Sequence, residues 1–253
     1  MIDTPEAVSE VTILAALRRV SDPELDESIV ELGFVDRVQV EGGVVDVVLR
    51  LPTFWCAPNF AYLMAHDARE EVLREPGVRD VRVALKDHVY SDEIGAGVTS
   101  GASFEQVFPG QADGDNLDDL RELFRTKAFC MRQEQLARFL LEAGLSGEEL
   151  TALRLDDVVD TSDRSGLRLR IGGRERLLRG GAPLTRLYLD RRQRLGLASD
   201  RLIVDGHAQP IPAERLTEHL QTNRRQRISM TFNALMCRGL LETRYGQSLA
   251  EEQ

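Results

Sequence analysis

Residues 34–51 read FVDRVQVEGGVVDVVLRL, and this stretch decides the fold of the first part of the chain. Its two arms, residues 34–40 and 44–51, are rich in valine, which favours the pleated surface of a strand. The glycines between them, Gly42 and Gly43, can adopt the positive φ angles of a tight turn without steric cost. The stretch therefore predicts an antiparallel β-hairpin.

Helical patterns flank this hairpin on both sides. Apolar residues recur at helical spacing over residues 8–17 and again over residues 60–73. A proline follows each pattern and cannot continue a helix. Residues 78–85 then alternate valine with other residues and predict a third strand. We therefore predict an α+β domain over residues 1–95, in the order helix, hairpin, helix, strand, with the helices packed on one sheet.

The second part of the chain has a different character. Periodicity disappears over residues 87–116, where glycine, serine and acidic residues accumulate, and we expect residues 96–116 to be a linker. Beyond it, residues 117–253 are predicted to form a mainly α, arginine-rich domain. Helical patterns occur at 117–141, 147–155, 183–195, 212–221 and 229–242, and a small β-hairpin is predicted at 167–179.

The charge of the chain divides in the same way. The formal net charge is −10, yet residues 1–112 hold 9 basic and 20 acidic residues, whereas residues 120–250 hold 23 basic and 16 acidic ones. Every basic residue of the second range except Lys127 is arginine, the side chain best suited to bidentate contact with phosphate or carboxylate. This basic half can meet nucleic acid, an acidic partner or the acidic first half of the chain.

Composition excludes several classes of protein. With 42% hydrophobic and 29% charged residues, the chain can bury a core, and wholesale disorder is not expected. No apolar run approaches the roughly 20 residues of a membrane span. The acidic start of the chain, residues 1–6, lacks the basic and apolar regions of a secretory signal. We therefore expect a cytoplasmic protein without membrane contact.

Three cysteines, Cys56, Cys130 and Cys237, are odd in number and widely spaced, which favours reduced thiols over a disulfide framework. Cys130 and Cys237 have apolar neighbours in the sequence, and we expect both to be packed in a core. His66 and His88 lack the companion ligands of a metal motif, so we expect them at the surface. Cys56 is therefore the candidate functional thiol.

An ordered set of short motifs spans residues 22–78. It consists of Asp22-Pro23-Glu24-Leu25, Ser28-Ile29-Val30-Glu31-Leu32-Gly33-Phe34-Val35, Thr53-Phe54-Trp55-Cys56 and Pro76-Gly77-Val78. Over residues 5–95 the chain resembles the iron-sulfur cluster assembly domain family of the SufT/PaaD kind. Members of that family carry a D-P-E loop, an I-V-x-L-G segment, a Thr-x-x-Cys loop and a P-G-V before the last strand.

The resemblance implies a factor that helps to mature iron-sulfur proteins or metal-dependent oxygenases, with multicomponent monooxygenases as candidate clients. By position, the functional cysteine of the family corresponds to Cys56, and Asp22, Glu24 and Thr53 line the same site. Iron or a transient iron-sulfur cluster is the implied cargo. No catalytic residue and no permanent cofactor are expected.

The chain departs from the family pattern close to the cysteine. Ala57 separates Cys56 from Pro58, and Phe54-Trp55 replaces the small residues that are usual there. The exit segment after the last strand, typically Asp-Pro-Pro-Trp in the family, reads Asp87-His88-Val89-Tyr90 and keeps only the aspartate and an aromatic residue. The two aromatic residues distinguish this loop from the bacterial SufT site.

Residue chemistry supports Cys56 independently of the family. A cysteine just ahead of a helix lies near its positive pole, which stabilises the thiolate that binds iron. Asp22 and Glu24 can supply oxygen ligands, or simply raise the pKa of the thiol. One thiol cannot hold a cluster that usually needs four cysteine ligands, so we expect a transient or shared site. The alternative is that Cys56 is a small buried hydrophobe and Asp22 a loop cap.

A second, fainter resemblance concerns residues 117–245. Residues 143–158 and 227–232 are similar, in order and spacing, to two conserved stretches of tyrosine recombinases. The catalytic arginines and histidines of that family are replaced here by Ser146, Ser229, Gln226 and Met230. Without those cations phosphate activation is not expected, so the resemblance implies a fold retained for weak nucleic-acid binding. A generic arginine-rich helical domain is an equal alternative.

These observations lead to one main hypothesis and two alternatives. The main hypothesis is a non-catalytic maturation factor, whose first domain acts on an iron or iron-sulfur client through Cys56 and whose basic second domain recognises that client. The first alternative is a DNA-binding or regulatory protein, whose affinity for DNA falls with salt. The second is an enzyme built around Cys56, whose turnover is lost when that thiol is alkylated.

Overall fold

The computed structural model describes residues 8–111, 117–162 and 166–246. The chain divides into two compact units: unit 1 comprises Met1–Arg121 and Phe232–Gln253, and unit 2 comprises Glu122–Thr231. Within the described ranges no helix is long and apolar enough to cross a membrane. The predicted α+β class is confirmed.

Unit 1 is built on one three-stranded sheet. Its first elements, in chain order, are α1 (Glu10–Leu17), β1 (Ser21–Asp22), β2 (Glu27–Ser28), β3 (Val35–Glu41), β4 (Val44–Arg50), α2 (Pro58–Leu73) and β5 (Asp80–Lys86). The predicted order of helix, hairpin, helix and strand is confirmed, and β1 and β2 add a short antiparallel ladder. β4 lies at the centre of the sheet, paired antiparallel with β3 and parallel with β5.

The sheet buries one face against the helices. Along β4, Val45, Val47 and Leu49 are buried, at the two-residue period of a strand with one face on a core. α2 connects β4 to β5 and contacts both α1 and β5. Such a crossover helix is what two parallel neighbouring strands require.

The hairpin turn depends on Gly43. Its φ angle is +83°, and a Cβ at this position would lie 2.9 Å from both Arg79 Nε and the carbonyl oxygen of Gly77. A side chain would therefore be strained and would also collide with the segment that leads into β5. This explains physically why glycine is needed between the two arms.

Residues 96–111 of the expected linker, 96–116, include helical structure instead, and residues 112–116 lie outside the described residues. α3 (Ser91–Ser100) begins before this range, and α4 (Phe104–Val107) lies within it. Unit 1 accordingly continues beyond residue 95, as far as Arg121. Ile94 and Val98 of α3 are buried in the core of unit 1, as are Phe104 and Phe108.

Close packing explains why this segment looks like a loop in the sequence. A Cβ on Gly97 would lie 2.3 Å from Val107 Cγ2, so the glycine lets α3 approach the end of α4. A Cβ on Gly95 would lie 3.2 Å from the carbonyl oxygen of Val83 in β5. The glycines that weaken the helical pattern are therefore the residues that allow the helix to pack.

Unit 2 combines helices with one small sheet. Its elements are α5 (Asp118–Glu142, which begins in unit 1), α6 (Gly147–Ala152), β6 (Val158–Asp160), β7 (Gly166–Ile171), β8 (Arg174–Arg179), α7 (Ala182–Arg194) and the first half of α8 (Leu216–Tyr245). The predicted hairpin is present as β7 and β8, and β6 pairs with the other edge of β7. The core of this unit includes Phe129, Leu169 and Tyr188.

α8 is a single helix of 30 residues, whereas the sequence pattern predicted two helices over 212–221 and 229–242. The residues between those ranges include no glycine or proline, so nothing interrupts the backbone hydrogen bonds. From Phe232 onwards the helix belongs to unit 1, where Ala234 and Leu241 are buried. The core of unit 1 thus includes residues far from its sheet in the sequence.

Phe104 provides a test of the extended boundary of unit 1. Its ring is 3% exposed and makes an edge-to-face contact with Tyr62, with ring centroids 5.4 Å apart. We expect Phe104→Ala to lower the free energy of unfolding by about 3 to 5 kcal/mol, the usual cost of truncating a buried phenylalanine. Urea denaturation measures this change.

Phe232→Ala is the matched control, because Phe232 is 60% exposed. We expect a change of no more than about 0.5 kcal/mol for this variant. Equal and small effects of the two substitutions would show that residues 96–116 behave as a linker after all.

Candidate functional site

Cys56 lies in the loop between β4 and α2. Ala57 is the N-cap of α2 and Pro58 its first residue, so the thiol stands directly before the helix N-terminus. The side chain is half-buried, and its Sγ lies 3.2 Å from Thr53 Oγ1, within hydrogen-bond distance. Two of the residues predicted for the site, Thr53 and Cys56, are therefore in direct contact.

The exit segment after β5 fixes the backbone of this loop. His88 Nε2 lies 2.9 Å from the carbonyl oxygen of Cys56, and the backbone N–H of Tyr90 donates to His88 Nδ1 at 3.2 Å. Because Nδ1 accepts, Nε2 carries the proton and donates to Cys56. The backbone N–H of Val89 donates to the carbonyl oxygen of Phe54 at 2.9 Å.

The expectation that His88 lies at the surface is wrong, since this side chain is only 7% exposed. It is buried because it bridges two segments of backbone, a role that has no signature in a single sequence. His66 is half-exposed, stacks on Tyr62 and lies 3.4 Å from Asp67 Oδ1 through its Nδ1. Neither histidine directs a nitrogen at Cys56 Sγ in the contacts of the described residues.

An apolar rim, formed by Phe54, Trp55 and Val89, borders the thiol. These side chains are 52%, 65% and 56% exposed, and the rings of Phe54 and Trp55 meet edge to face at 4.4 Å. Large apolar groups exposed side by side are typical of a surface that contacts another molecule. The aromatic pair that distinguishes this loop from the family is thus directed outward.

The D-P-E loop, residues 22–26, is organised by the carboxylate of Asp22. Its Oδ1 accepts hydrogen bonds from the backbone N–H groups of Glu24, at 2.8 Å, and Leu25, at 2.9 Å. Asp22 is 7% exposed. Burial is the main cause that raises the pKa of this carboxyl to about 7; the charges of Glu24 and Glu27 contribute to the increase, and the two hydrogen bonds oppose it. Asp22 therefore caps the loop, as the alternative interpretation of the sequence expects, and it is also a buried acid.

The second half of α8 contacts the D-P-E loop and the strand that follows it. Asn233 Nδ2 donates to Glu24 Oε1 at 3.2 Å. Arg238 forms an ion pair with Glu27 in β2. At least one basic residue of the C-terminal half therefore meets the acidic first part of the chain.

Cys237 is a thiol whose place near this region was not predicted. Burial is the main cause that raises the pKa of its thiol to about 12, and the negative charges of Asp22, Cys56 and Glu24 contribute to that increase. Asn233, one turn before Cys237 on α8, donates to Glu24, so this turn of the helix packs beside the D-P-E loop. Cys237 packs against the core of unit 1, as expected, but from the edge that carries the site.

The donor atoms in this region are two thiols and two carboxylates. Across residues 8–111, 117–162 and 166–246 there is no group of three or more His, Cys, Asp or Glu side chains arranged to hold a metal ion. The available set is therefore incomplete for iron or for a cluster, which needs about four ligands. A metal held here needs further ligands from another molecule.

Several polar side chains of unit 2 make contacts within the unit. Ser146 caps α6 by accepting a hydrogen bond from the N–H of Glu149, and Met230 is buried. Arg227 pairs with Glu134 at 2.5 Å, and Arg192 donates to the carbonyl oxygen of Ser199 at 2.6 Å. These arginine side chains are therefore paired with groups of unit 2 itself.

Cys130 packs against the core of unit 2, as expected, and burial raises the pKa of its thiol to about 11. The charge of Asp205 adds to this increase. Cys130 is therefore a half-buried thiol among apolar groups and serves as an internal reference for the other two thiols.

The region of this chain that resembles known proteins includes the three-stranded sheet of unit 1. Residues 10–85 match the family model described as iron-sulfur cluster assembly protein. An iron-sulfur cluster carrier protein of Deinococcus radiodurans is 38% identical over 71 residues, which is 28% of this chain and 20% of the carrier. An uncharacterized protein of Methanocaldococcus jannaschii is 34% identical over 88 residues, which is 34% of this chain and 90% of that relative. This chain thus spans about a fifth of the carrier's length.

The buried carboxyl of Asp22 makes stability depend on pH. Its pKa rises from an ordinary 3.8 to about 7 on folding, so the folded chain keeps a proton that the unfolded chain has lost. Wild-type stability should therefore decline as pH rises from about 4 to about 7. Asp22→Asn retains an acceptor oxygen but not the charge, so we expect a flatter decline and a gain at pH 8 of at most about 4 kcal/mol.

Chemical denaturation at several pH values measures this slope. Glu24→Gln is the comparison, because Glu24 is half-buried and adjacent but makes no backbone hydrogen bond of the same kind. An unaltered slope in Asp22→Asn would show that this carboxyl titrates normally.

The three thiols should differ in their reactivity towards iodoacetamide. At pH 8 only about one Cys130 in a thousand and one Cys237 in ten thousand is ionised, given pKa values of about 11 and about 12. We therefore expect Cys56 to be alkylated first. The rates at the other two thiols should rise about tenfold per pH unit. Peptide mass spectrometry at timed intervals resolves the order, and modification of Cys130 as fast as Cys56 at pH 7 contradicts it.

Proposed function

We propose that this chain, which belongs to the iron-sulfur cluster assembly protein family through residues 10–85, transfers iron or an iron-sulfur cluster to a client metalloprotein through Cys56. One observation carries the proposal. The half-buried Cys56 thiol contacts Thr53, its own backbone carbonyl accepts a hydrogen bond from His88, and its loop carries an exposed apolar rim. Membership of the family supports a maturation role in general. We add the proposal that Cys56 binds and transfers the cargo.

The cargo is a substrate of this site. Cys56 offers the one soft donor of the loop, and it lies directly before the N-terminus of α2. Thr53 Oγ1, at 3.2 Å, can donate a hydrogen bond to the sulfur and so hold its orientation. His88 holds the carbonyl of the same residue and keeps the thiol at the edge of the sheet.

The negative charges of the D-P-E loop favour a cation. Asp22 and Glu24 are hard oxygen donors suited to iron, and Asp22 is poised to lose its proton near neutral pH. Because this chain supplies only some of the ligands that the cargo needs, the cargo can be released as well as bound. A client that supplies the missing ligands can take the cargo from a site that does not fully coordinate it.

The apolar rim of Phe54, Trp55 and Val89 is the proposed contact surface for the client. Exposed aromatic residues supply much of the energy of protein interfaces. A multicomponent monooxygenase is a candidate client because of the family resemblance. Unit 2, in which residues 122–231 hold 20 basic and 15 acidic residues, is proposed to help recognise an acidic surface of that client.

The alternatives have less support. A cysteine-dependent enzyme needs a base beside the thiol, and the nitrogen of His88 is directed at the Cys56 carbonyl instead. A DNA-binding role rests on the faint recombinase resemblance of residues 117–245, and the family match over residues 10–85 gives it no support. We therefore retain the maturation factor as the conclusion.

Cys56→Ser tests the proposal. Serine keeps the hydrogen bond to Thr53 with little loss of volume, so we expect the free energy of unfolding to change by less than about 1 kcal/mol. We also expect client metal content after co-expression to fall to the level seen without this chain. Elemental analysis of the purified client and thermal unfolding of the variant are the two measurements.

Cys130→Ser is the matched control, because Cys130 packs in unit 2 and has no place in the proposed transfer. It should lower stability by about 1 to 3 kcal/mol, the cost of placing a hydroxyl among apolar groups, and leave client loading intact. Full metal loading by a stably folded Cys56→Ser variant would disprove the role of this thiol.

A further inference from the structure

The part of α8 that belongs to unit 1 has two distinct faces. Phe232, Leu235 and Met236 are 60%, 62% and 49% exposed. The opposite face packs on the unit at intervals of three and four residues, through Asn233, Ala234, Cys237, Arg238 and Leu241. Cys237 therefore lies on the inward face of the helix.

Contacts on either side of Cys237 fix where this face lies. One turn before it, Asn233 binds Glu24 at 3.2 Å. Two turns after it, Arg244 donates to the carbonyl oxygen of Leu51 at 3.2 Å and to that of Asp87 at 2.6 Å. These partners belong to the D-P-E loop, the start of the Cys56 loop and the exit segment. Cys237 is thus held between the three segments that make up the site.

The environment of the thiol agrees with this placement. The charges of Asp22, Cys56 and Glu24 all act on Cys237, as does the opposing charge of Arg238. Cys56 and Cys237 also pack against the same core. Cys130, in unit 2, is influenced by Asp205 and by none of these groups.

We propose that Cys237 is the second thiol ligand of the cargo site, so that Cys56 and Cys237 together bind a thiophilic divalent metal ion. The inference rests on the proposed function and deepens it. Two thiols suit iron(II), and also cobalt(II) or cadmium(II), better than the oxygen-preferring magnesium or calcium. In the ranges that the structure describes no third such ligand completes the set, so another molecule supplies the remaining positions.

Binding requires no oxidant. The metal ion forms two metal–sulfur bonds, the two S–H bonds break, and two protons pass to solvent, while the charge of the metal ion balances that of the thiolates. Because each thiol must lose its proton to bind the metal, affinity for the metal should rise with pH. The groups that face this thiol are Asp22, Glu24, Cys56 and Arg238.

Cobalt(II) titration of the full chain, reduced and without oxygen, tests the proposal. The reference is Cys130→Ser, in which only the two proposed ligands remain as thiols. We expect it to show sulfur-to-cobalt charge-transfer absorption in the near ultraviolet. Adding Cys237→Ser should remove about half of that absorption and weaken affinity at least about tenfold, since lost metal contacts have effects of this size or larger. Adding Cys56→Ser should have a similar effect.

Cys237→Ala is the second variant, used if the serine variant is unstable, since alanine places no hydroxyl in a half-buried position. Proximity is measured separately with dibromobimane, a reagent that becomes fluorescent when it bridges two thiols. We expect the Cys130→Ser protein to form a bridged Cys56–Cys237 peptide that mass spectrometry identifies. Absence of the bridged peptide would overturn the proposal.

The outcomes distinguish a failure of the two-thiol metal site from a failure of the proposed transfer function. If Cys237→Ser and Cys237→Ala leave cobalt affinity and absorption unchanged while Cys56→Ser abolishes both, Cys237 is not a ligand and the proposed function stands. If both thiols bind cobalt but Cys56→Ser still loads the client fully, the two-thiol site is real and the proposed transfer function fails. Equal loss from either substitution, together with failed client loading, supports both.

Discussion

The position of β4 is the constraint on which the site depends. β4 pairs antiparallel with β3 and parallel with β5, so the carboxyl ends of β4 and β5 lie at one edge of the sheet. The loop that leaves β4 holds Cys56, and the segment that leaves β5 holds His88. Parallel pairing therefore brings together two segments that are separated by the whole of α2, and one 2.9 Å hydrogen bond joins them. Ligand sites commonly form at such an edge for the same reason.

Much of this could be predicted from the sequence because it depends on local patterns. The hairpin follows from valine-rich arms around two glycines, and the placement of Cys56 follows from Pro58 at the start of a helix. The contact between Thr53 and Cys56 follows from their separation of three residues in one loop. The pairing of β4 with β5 was not predicted, and the burial of His88 depends on that pairing. A single sequence gives no sign of which strands become neighbours.

The remaining features depend on contacts between distant residues. Cys237 has Leu235 and Met236 beside it, which resembles a core segment, yet those two side chains are exposed and the thiol faces inward. Its distance from Cys56 in the sequence hides the relation between them. Gly97 in α3 shows the same limit, because the glycine that permits close packing against Val107 also weakens the helical pattern. Local periodicity identifies helices but not the surface on which each one packs.

The electrostatics of the site bear directly on the proposed cationic cargo. Asp22, with a pKa of about 7, and Cys237, with a pKa of about 12, are both held in surroundings that disfavour their ionised forms. In each case burial is the first cause and neighbouring negative charge adds to it. A metal cation reverses that balance, because it favours the ionised form of each donor at once. Under the proposed function, Asp22 and Cys237 keep their protons until a metal ion binds, and each donor that binds the ion releases its proton to solvent.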